Sequence, residues 1–564
     1  MLFNQKSNFN AVLIPYAPIN VSMVPTMSNI SFGITDESGI KYRFDSTEWT
    51  NSGIAVNTVC TSAWMLSDVI SSNQQDSIHL RYATKSGGGI TDSYYSDYLV
   101  LNDNCTGSYN SNCTTTGTFS SDYNTVLTTW KQLSEIDFRN GKVVFESGPE
   151  TRADFSSAYQ LQNRINAIKI YSLNPLNNSF TLIKSIQFFQ SYFINGTDIS
   201  TKRLRLDSIQ ILMSNGTVAQ SYQFAYNTSV ALPSKDSRMK DYWGYFNNVT
   251  NLDPYGNPTM IPKMQVQYNI PNSSPSTIWV GGNQTNARDP DPNYMQAYIL
   301  QKITYPTGGN TQFEYETNQY LDGSGNPKYA GGLRIKTIKS YTDNVSTPIV
   351  KSFKYGLNES GYGRNNFFLE DHFFVSVQNI QGCDANQSST LISKTTRTYF
   401  SNPTNDLESY DGSPVVYSNV SEYIGNGTAF AGKTMYRFSD KVDGKTTMIG
   451  YGKPILTSYH FVRGLLNNKS DYRINADNSY SIVAENRKGY QYFPFQNSTG
   501  GIGLVVYKSK IFDGYSGLLF NSPCQTSTDS YNYLYNNYEI ITGDNKLIAD
   551  TSIAYDQNDQ TKYN

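Results

Sequence analysis

Six times this chain repeats one short phrase: Leu-x-x-Ile or a close variant, a polar turn, then a strand ending in an aromatic residue or a Phe-x-Tyr pair. The copies begin at Leu66, Leu133, Arg164, Leu206, Leu300 and Leu333, and they end near Tyr82, Phe145, Phe188, Tyr226, Tyr315 and Tyr355. The sharpest runs from Leu300-Gln-Lys-Ile303-Thr-Tyr305 through Pro306-Thr-Gly308-Gly309 to Phe313-Glu-Tyr315. Alternation of Phe313 and Tyr315 with polar residues is period two, which puts one face of a strand inward. Pro306 with Gly308 and Gly309, or Asn140 with Gly141, supplies a turn, since Pro presets φ and Gly and Asn tolerate positive φ. Each phrase therefore reads as a β-hairpin, and hairpins that cannot bury a face alone stack side by side. Their unequal spacing fits hairpins laid along one continuous curved sheet better than a solenoid of fixed period.

Composition agrees. Of 564 residues, 45 are Tyr and only 16% are charged, with a net charge of −2. Low charge with abundant Tyr, Thr, Asn and Gly is the make-up of an extracellular β protein. The chain is too rich in β-branched and aromatic residues to be disordered. It has no basic run that would suit nucleic acid and no apolar run long enough to span a membrane as a helix. Residues 1 to 8 show no apolar signal core, so the expectation is a piece of a longer secreted or cell-surface protein, or a short relative of one.

Along the chain, residues 1–33 read as an irregular N-terminal segment, and 34–384 as a β-hairpin region. Residues 232–294 form an inserted loop segment in that region, and 385–564 continue the hairpins. Helical windows are few; the best, from Thr125 to Leu133, fits a strand equally well. Residues 104–124 and 270–294 read as Gly-, Ser- and Asn-rich loops.

The ordered series of phrases resembles the large Rhs/YD-repeat surface proteins of Bacteroidota, in the amino-proximal part of their shell region. The resemblance rests on Asp36 to Phe44, Ala63 to Ile70, Arg205 to Ile209 and Leu232 to Ser237. It continues through Asp241-Tyr-Trp243-Gly-Tyr245-Phe-Asn247, Tyr298 to Gly309, Gly331 to Ile335, Tyr417 to Tyr423 and Phe461 to Leu465. It covers about residues 34 to 500, and Tyr242 stands where the family usually has His. The regular Tyr-Asp repeats, the self-cleavage segment and a toxin domain do not occur. The resemblance implies an all-β fold, a long curved antiparallel sheet of stacked irregular hairpins with few or no helices. In such relatives the sheet spirals into a hollow shell around a toxic or effector polypeptide.

Chemistry is sparse in the sequence. No nucleophile elbow, phosphate loop or dinucleotide fingerprint is present. Asp289 and Asp291 are each followed by Pro and read as an extended loop pair rather than a glycosidase couple. Asp241, Trp243 and Tyr245 suit either a packed corner, the preferred reading, or a sugar-stacking platform. His79, His372 and His460 lack metal-ligand spacing and read as sheet residues, and no cofactor is expected. Cys105 and Cys113 flank a polar loop, and the sequence leaves a bridge or two free thiols equally open. The leading expectation is a non-enzymatic extracellular scaffold. Its expected partner is the rest of its own polypeptide, another copy, or a companion surface protein docking by strand addition. An adhesin or carbohydrate-binding module using exposed aromatics is the alternative.

Overall fold

The computed structural model describes residues 2–3, 11–12, 17–25, 30–52, 58–84, 90–155, 163–343, 346–365, 375–384, 387–402, 413–427, 429–442, 444–446, 455–457, 459–494, 502–510, 512–513, 531–539, 543–556 and 561–563. Among them there is no α-helix, only short 3-10 turns such as Gly107–Asn112. The expected all-β fold is what forms. One antiparallel ladder runs from the strand Asn20–Pro25 to Thr561–Tyr563, each strand pairing with the next along the sheet. Three expectations need correction. Asn20–Pro25 is a strand of the ladder although residues 1–33 read as irregular, the strand Thr118–Thr129 begins inside the supposed loop 104–124, and Ser276–Val280 is a strand inside the supposed loop 270–294.

The Leu-x-x-Ile phrase has a physical cause. In a regular strand, residues three apart face opposite ways. Here Ala225 pairs with Lys302 and Tyr226 with Leu300, which leaves Gln301 as an extra residue. Such a bulge returns Leu300 and Ile303 to the same face. The same register jump isolates Ser134, Asp207, Lys336, Asn467 and Ile548. Opposite five of these six bulges stands an aromatic residue: Tyr82, Tyr226, Tyr315, Phe438 or Tyr490.

Directly opposed residues share a face. Tyr42, Val69, Ile78 and Phe138 follow one another across neighbouring strands. Phe145, Ile168, Ile186 and Ile211 continue that face, followed by Tyr222 and Phe224, then Ile303, Phe313, Ile338, Phe353 and Tyr355. The opposite face carries Asp68, His79, Arg81, Glu135, Asp137, Lys142, Lys169, Gln187, Gln210, Gln223, Lys302, Glu314 and Lys339. Ion pairs run along it, including Arg81 with Asp137, Lys142 with Glu135 and Lys339 with Glu314. Beyond Tyr355 the contrast weakens, because Glu422 stands opposite Phe353 and Thr434 opposite Glu422.

The apolar face is not a packed core. Strand Arg203–Met213 is half-buried along nearly its whole length rather than alternating between buried and exposed. Ile78 and Phe138 remain 41% and 37% exposed. Among the described strands, those of the ladder make their closest backbone approaches to their ladder neighbours.

The chain leaves the ladder after Lys41–Phe44, Ser77–Thr84, Val218–Tyr226, Ile349–Tyr355, Phe430–Phe438 and Tyr480–Pro494. An even number of antiparallel steps separates these strands, so all six excursions leave from the same end of the sheet. Three of them form hairpins that pair edge to edge: Ser46–Ser52 with Thr58–Met65, Ile90–Asp103 with Thr118–Thr129, and Val375–Asp384 with Gln387–Phe400. They make a second sheet. The hairpin Met264–Tyr268 with Ser276–Val280 packs against it, and Leu99, Leu101, Ile261, Met264, Tyr268, Val280 and Tyr399 form the largest buried cluster.

Candidate functional site at the inserted corner

The segment between Tyr226 and Leu300 wedges between the ladder and the second sheet. Its quoted phrase begins with a tight turn. Asp241 Oδ1 accepts the backbone N–H groups of Trp243 and Tyr245, each at 2.9 Å, and Gly244 takes φ +92°. The same Asp-x-x-Gly turn occurs at Asp36, Asp253 and Asp322. There the second carboxylate oxygen is also bonded, to Tyr42, Asn257 and Asn326 respectively. Asp241 differs. It is fully buried, and its Oδ2 has no hydrogen-bond partner. Burial pushes its carboxyl up to about 6, against the pull of the N–H donors and of Arg288.

Arg288 is the centre of the corner. Its guanidinium donates to the carbonyl oxygens of Asp241 (2.8 Å) and Ser401 (2.9 Å), and it lies over the Tyr242 ring at 5.0 Å. Burial lowers its pKa and raises that of Tyr242. A second buried joint lies beside it. Asp97 of the second sheet takes a forked bond from Arg238, a hydroxyl from Ser121 at 2.6 Å and the N–H of Met260 at 2.8 Å. Arg238 is also stacked on Tyr95 at 3.6 Å.

Trp243 packs beside the buried cluster of Tyr320, Ala330 and Val415. A Cβ on Gly331 would fall 2.4 Å from Trp243 Cβ and 2.9 Å from Tyr245 Cδ2, so only glycine fits there. Two of the phrases that carry the sequence resemblance, Asp241 to Asn247 and Gly331 to Ile335, are therefore in contact. Tyr245 is 40% exposed. The chain's most open Trp in the corner is Trp279, 52% exposed, opposite Gln265 and with Lys263 over its ring at 5.2 Å.

Asp291 Oδ1 accepts the N–H groups of Asn293 and Tyr294 just before the 3-10 turn Tyr294–Gln296, while the Asp289 carbonyl accepts from Asn247. Cys105 and Cys113 are joined in a disulfide, with Cα atoms 6.0 Å apart, closing the turn Gly107–Asn112 against the buried cluster. Cys60 is free and exposed. The side chain of Cys383, and Cys524, His372 and Gly87 to Gly89, lie outside the described residues. Among the described residues no three His, Cys, Asp or Glu side chains gather as metal ligands. Sequence reasoning missed Arg288, Arg238 and Asp97. The one available signal was Asp97 and Asp103 flanking Leu99 and Leu101 at every second position of one run.

No protein-family profile and no curated protein matches the sequence. The chain aligns with the crystal structure of TcdB2-TccC3 over 96% of its own length and 38% of that chain, at 7% identity and a TM-score of 0.43. With TcdB2-TccC3-Cdc42 the figures are 95%, 37%, 8% and 0.44. The N-terminal domain of effector protein SpvB from Salmonella typhimurium strain LT2 aligns with 38% of this chain and 77% of its own, at 10% identity and a TM-score of 0.21. This chain thus spans under two fifths of the TcdB2-TccC3 chains.

Proposed function

We propose that this chain is a stretch of extracellular shell wall of the Rhs/YD type, a scaffold whose apolar face holds another polypeptide. The observation that carries this reading is the aromatic and aliphatic face from Tyr42 to Tyr355, which among the described residues stays partly open, with Ile78 and Phe138 well exposed. Exposed apolar area of this extent marks a binding surface rather than a solvent face. A guest laid along it satisfies the face without any specific pocket. The guest is a further part of the same polypeptide, another copy, or a companion surface protein. The corner at Arg288 and Asp97 acts as a rigid joint that fixes the second sheet across one end of the wall.

The test is native-state protease digestion of the protein purified from its own source, followed by mass spectrometry. A guest segment resists cleavage until the wall is denatured. If every segment outside the strands is cut at the same rate before and after denaturation, the reading fails. Trp279 supports a second reading as a glycan contact, because its exposed ring stands beside Gln265 and Lys263. Glycan-array binding that Trp279→Ala abolishes would establish it.

A further inference from the structure

The polar face carries an arrangement that the wall reading does not use. Ser77 and His79 are two residues apart on the strand Ser77–Thr84, hence on one face, and His79 stands opposite Asp68 on the neighbouring strand Asp68–Ile70. His79 Nδ1 lies 2.6 Å from Asp68 Oδ1, and His79 Nε2 lies 2.9 Å from Ser77 Oγ. The Asp68 carboxylate only accepts, so it takes the Nδ1 proton and leaves Nε2 free to accept from the serine. Ser67 Oγ lies 3.1 Å from the other oxygen of Asp68 and 3.1 Å from the Arg43 carbonyl oxygen, and shares its proton between them. This is the order of contacts that activates a serine: nucleophile to Nε2, Nδ1 to carboxylate. The sequence conceals it, because Asp68 and Ser77 lie on different strands and only the register joins them.

We propose that Ser77 is an activated nucleophile, with His79 as its general base and Asp68 as the positioning residue, that accepts acyl groups from small activated esters. The setting limits the chemistry. The His79 side chain is 49% exposed and the face is open, so there is no acyl pocket to select a substrate. Lys41 is opposite Ile70, which is opposite Ser77, so the register puts a cation on the same face two strands away. In the acylation step Ser77 Oγ bonds to the ester carbonyl carbon and its proton passes to His79 Nε2. The C–O bond to the leaving group then breaks, and the departing alkoxide takes that proton as an alcohol. Water reverses the sequence, releasing the carboxylic acid and free Ser77.

The test is reaction of the intact protein with a fluorophosphonate reagent and with p-nitrophenyl acetate, with the adduct located by peptide mass spectrometry. The expected result is modification of Ser77 ahead of exposed serines such as Ser72, and none in Ser77→Ala. Loss of a general base costs about 100-fold or more, so His79→Gln should slow labelling by at least that factor. Asp68→Asn should slow it too, while Asp68→Glu recovers part of the rate, a rescue that a merely structural carboxylate would not give. Unchanged melting temperatures exclude unfolding as the cause. Labelling of Ser77 no faster than of Ser72, or undiminished in His79→Gln, overturns the proposal and leaves the trio as a hydrogen-bonded strand contact.

Discussion

The phenolic hydroxyl of Tyr315 donates to the carbonyl oxygen of Leu300 at 2.7 Å, while its own backbone stands opposite Ile335 at the next bulge. One residue thus ties its own hairpin to the start of the following one. Tyr226 does the same between Leu206 and Leu300, at 2.8 Å, and Tyr82 between Leu66 and Leu133, at 2.8 Å. Tyr355 donates to Ile335 and Tyr490 to Leu466. These bonds lie at the end of the sheet from which the excursions leave. Burial raises the pKa of Tyr82, Tyr226 and Tyr315, and pushes Tyr355 up to about 12.

Removing one such hydroxyl should weaken the fold modestly. A hydrogen bond of this kind contributes about 1 kcal/mol net, so Tyr315→Phe should lower the unfolding free energy by that amount. Tyr82→Phe and Tyr355→Phe are far apart along the ladder and should add. Denaturant titration checks both. No loss in the double variant would show that the bonds follow the fold without holding it.

The hairpin rhythm was legible in the sequence, because Phe-x-Tyr alternation reports one face directly. The bulge was not. Leu300-Gln-Lys-Ile303 reads as a motif, but only the register shows that Gln301 is the extra residue. Nor could the second sheet be read, since Leu101 pairs with Arg397 almost 300 positions away. The strand Ser276–Val280 was hidden by its brevity among Asn, Ser and Pro. At the corner, the Asp241-x-x-Gly244 turn is visible in the letters. Arg288, which joins three segments through backbone carbonyls, leaves no local pattern.

Gly331 and Trp243 should behave as a coupled pair. Gly331→Ala drives a methyl group into Trp243 Cβ and should destabilise by roughly 1–3 kcal/mol, as overpacking does. Trp243→Ala should cost about 3 kcal/mol through lost packing. Alanine keeps the Cβ that the new methyl group meets, so the coupling is read with Trp243→Gly, which combined with Gly331→Ala should cost less than the sum of the two single changes. Strict additivity would mean that the two do not press on one another.

Asp241 should make the corner less stable as pH rises. Its folded pKa of about 6 lies above the ordinary 3.8, so the folded state holds the proton more tightly. The stability this contributes is complete below about 3.8 and is lost as pH rises through about 6. Asp241→Asn keeps an oxygen for Trp243 and Tyr245 without the buried charge. The variant should gain stability over the parent between pH 4 and 7, and the gap should close at lower pH. A gap independent of pH would contradict this.

The Cys105–Cys113 bridge closes a short loop, for which chain entropy gives about 2–3 kcal/mol. Reduction, or replacement of both residues by Ser, should lower the melting temperature by a corresponding amount. An identical melting curve with and without reductant would show that the surrounding cluster holds the loop unaided.

The central claim is that the apolar face, and not the polar one, meets another polypeptide. The most direct measurement places a photo-crosslinking phenylalanine analogue at Phe313 or, on the opposite face of the same strand, at Glu314, in the protein made in its own source. Mass spectrometry then identifies what each position captures. The account predicts cross-links from Phe313 to a polypeptide segment outside the ladder and none of that kind from Glu314. Equal capture at both positions, or none at Phe313, would contradict it.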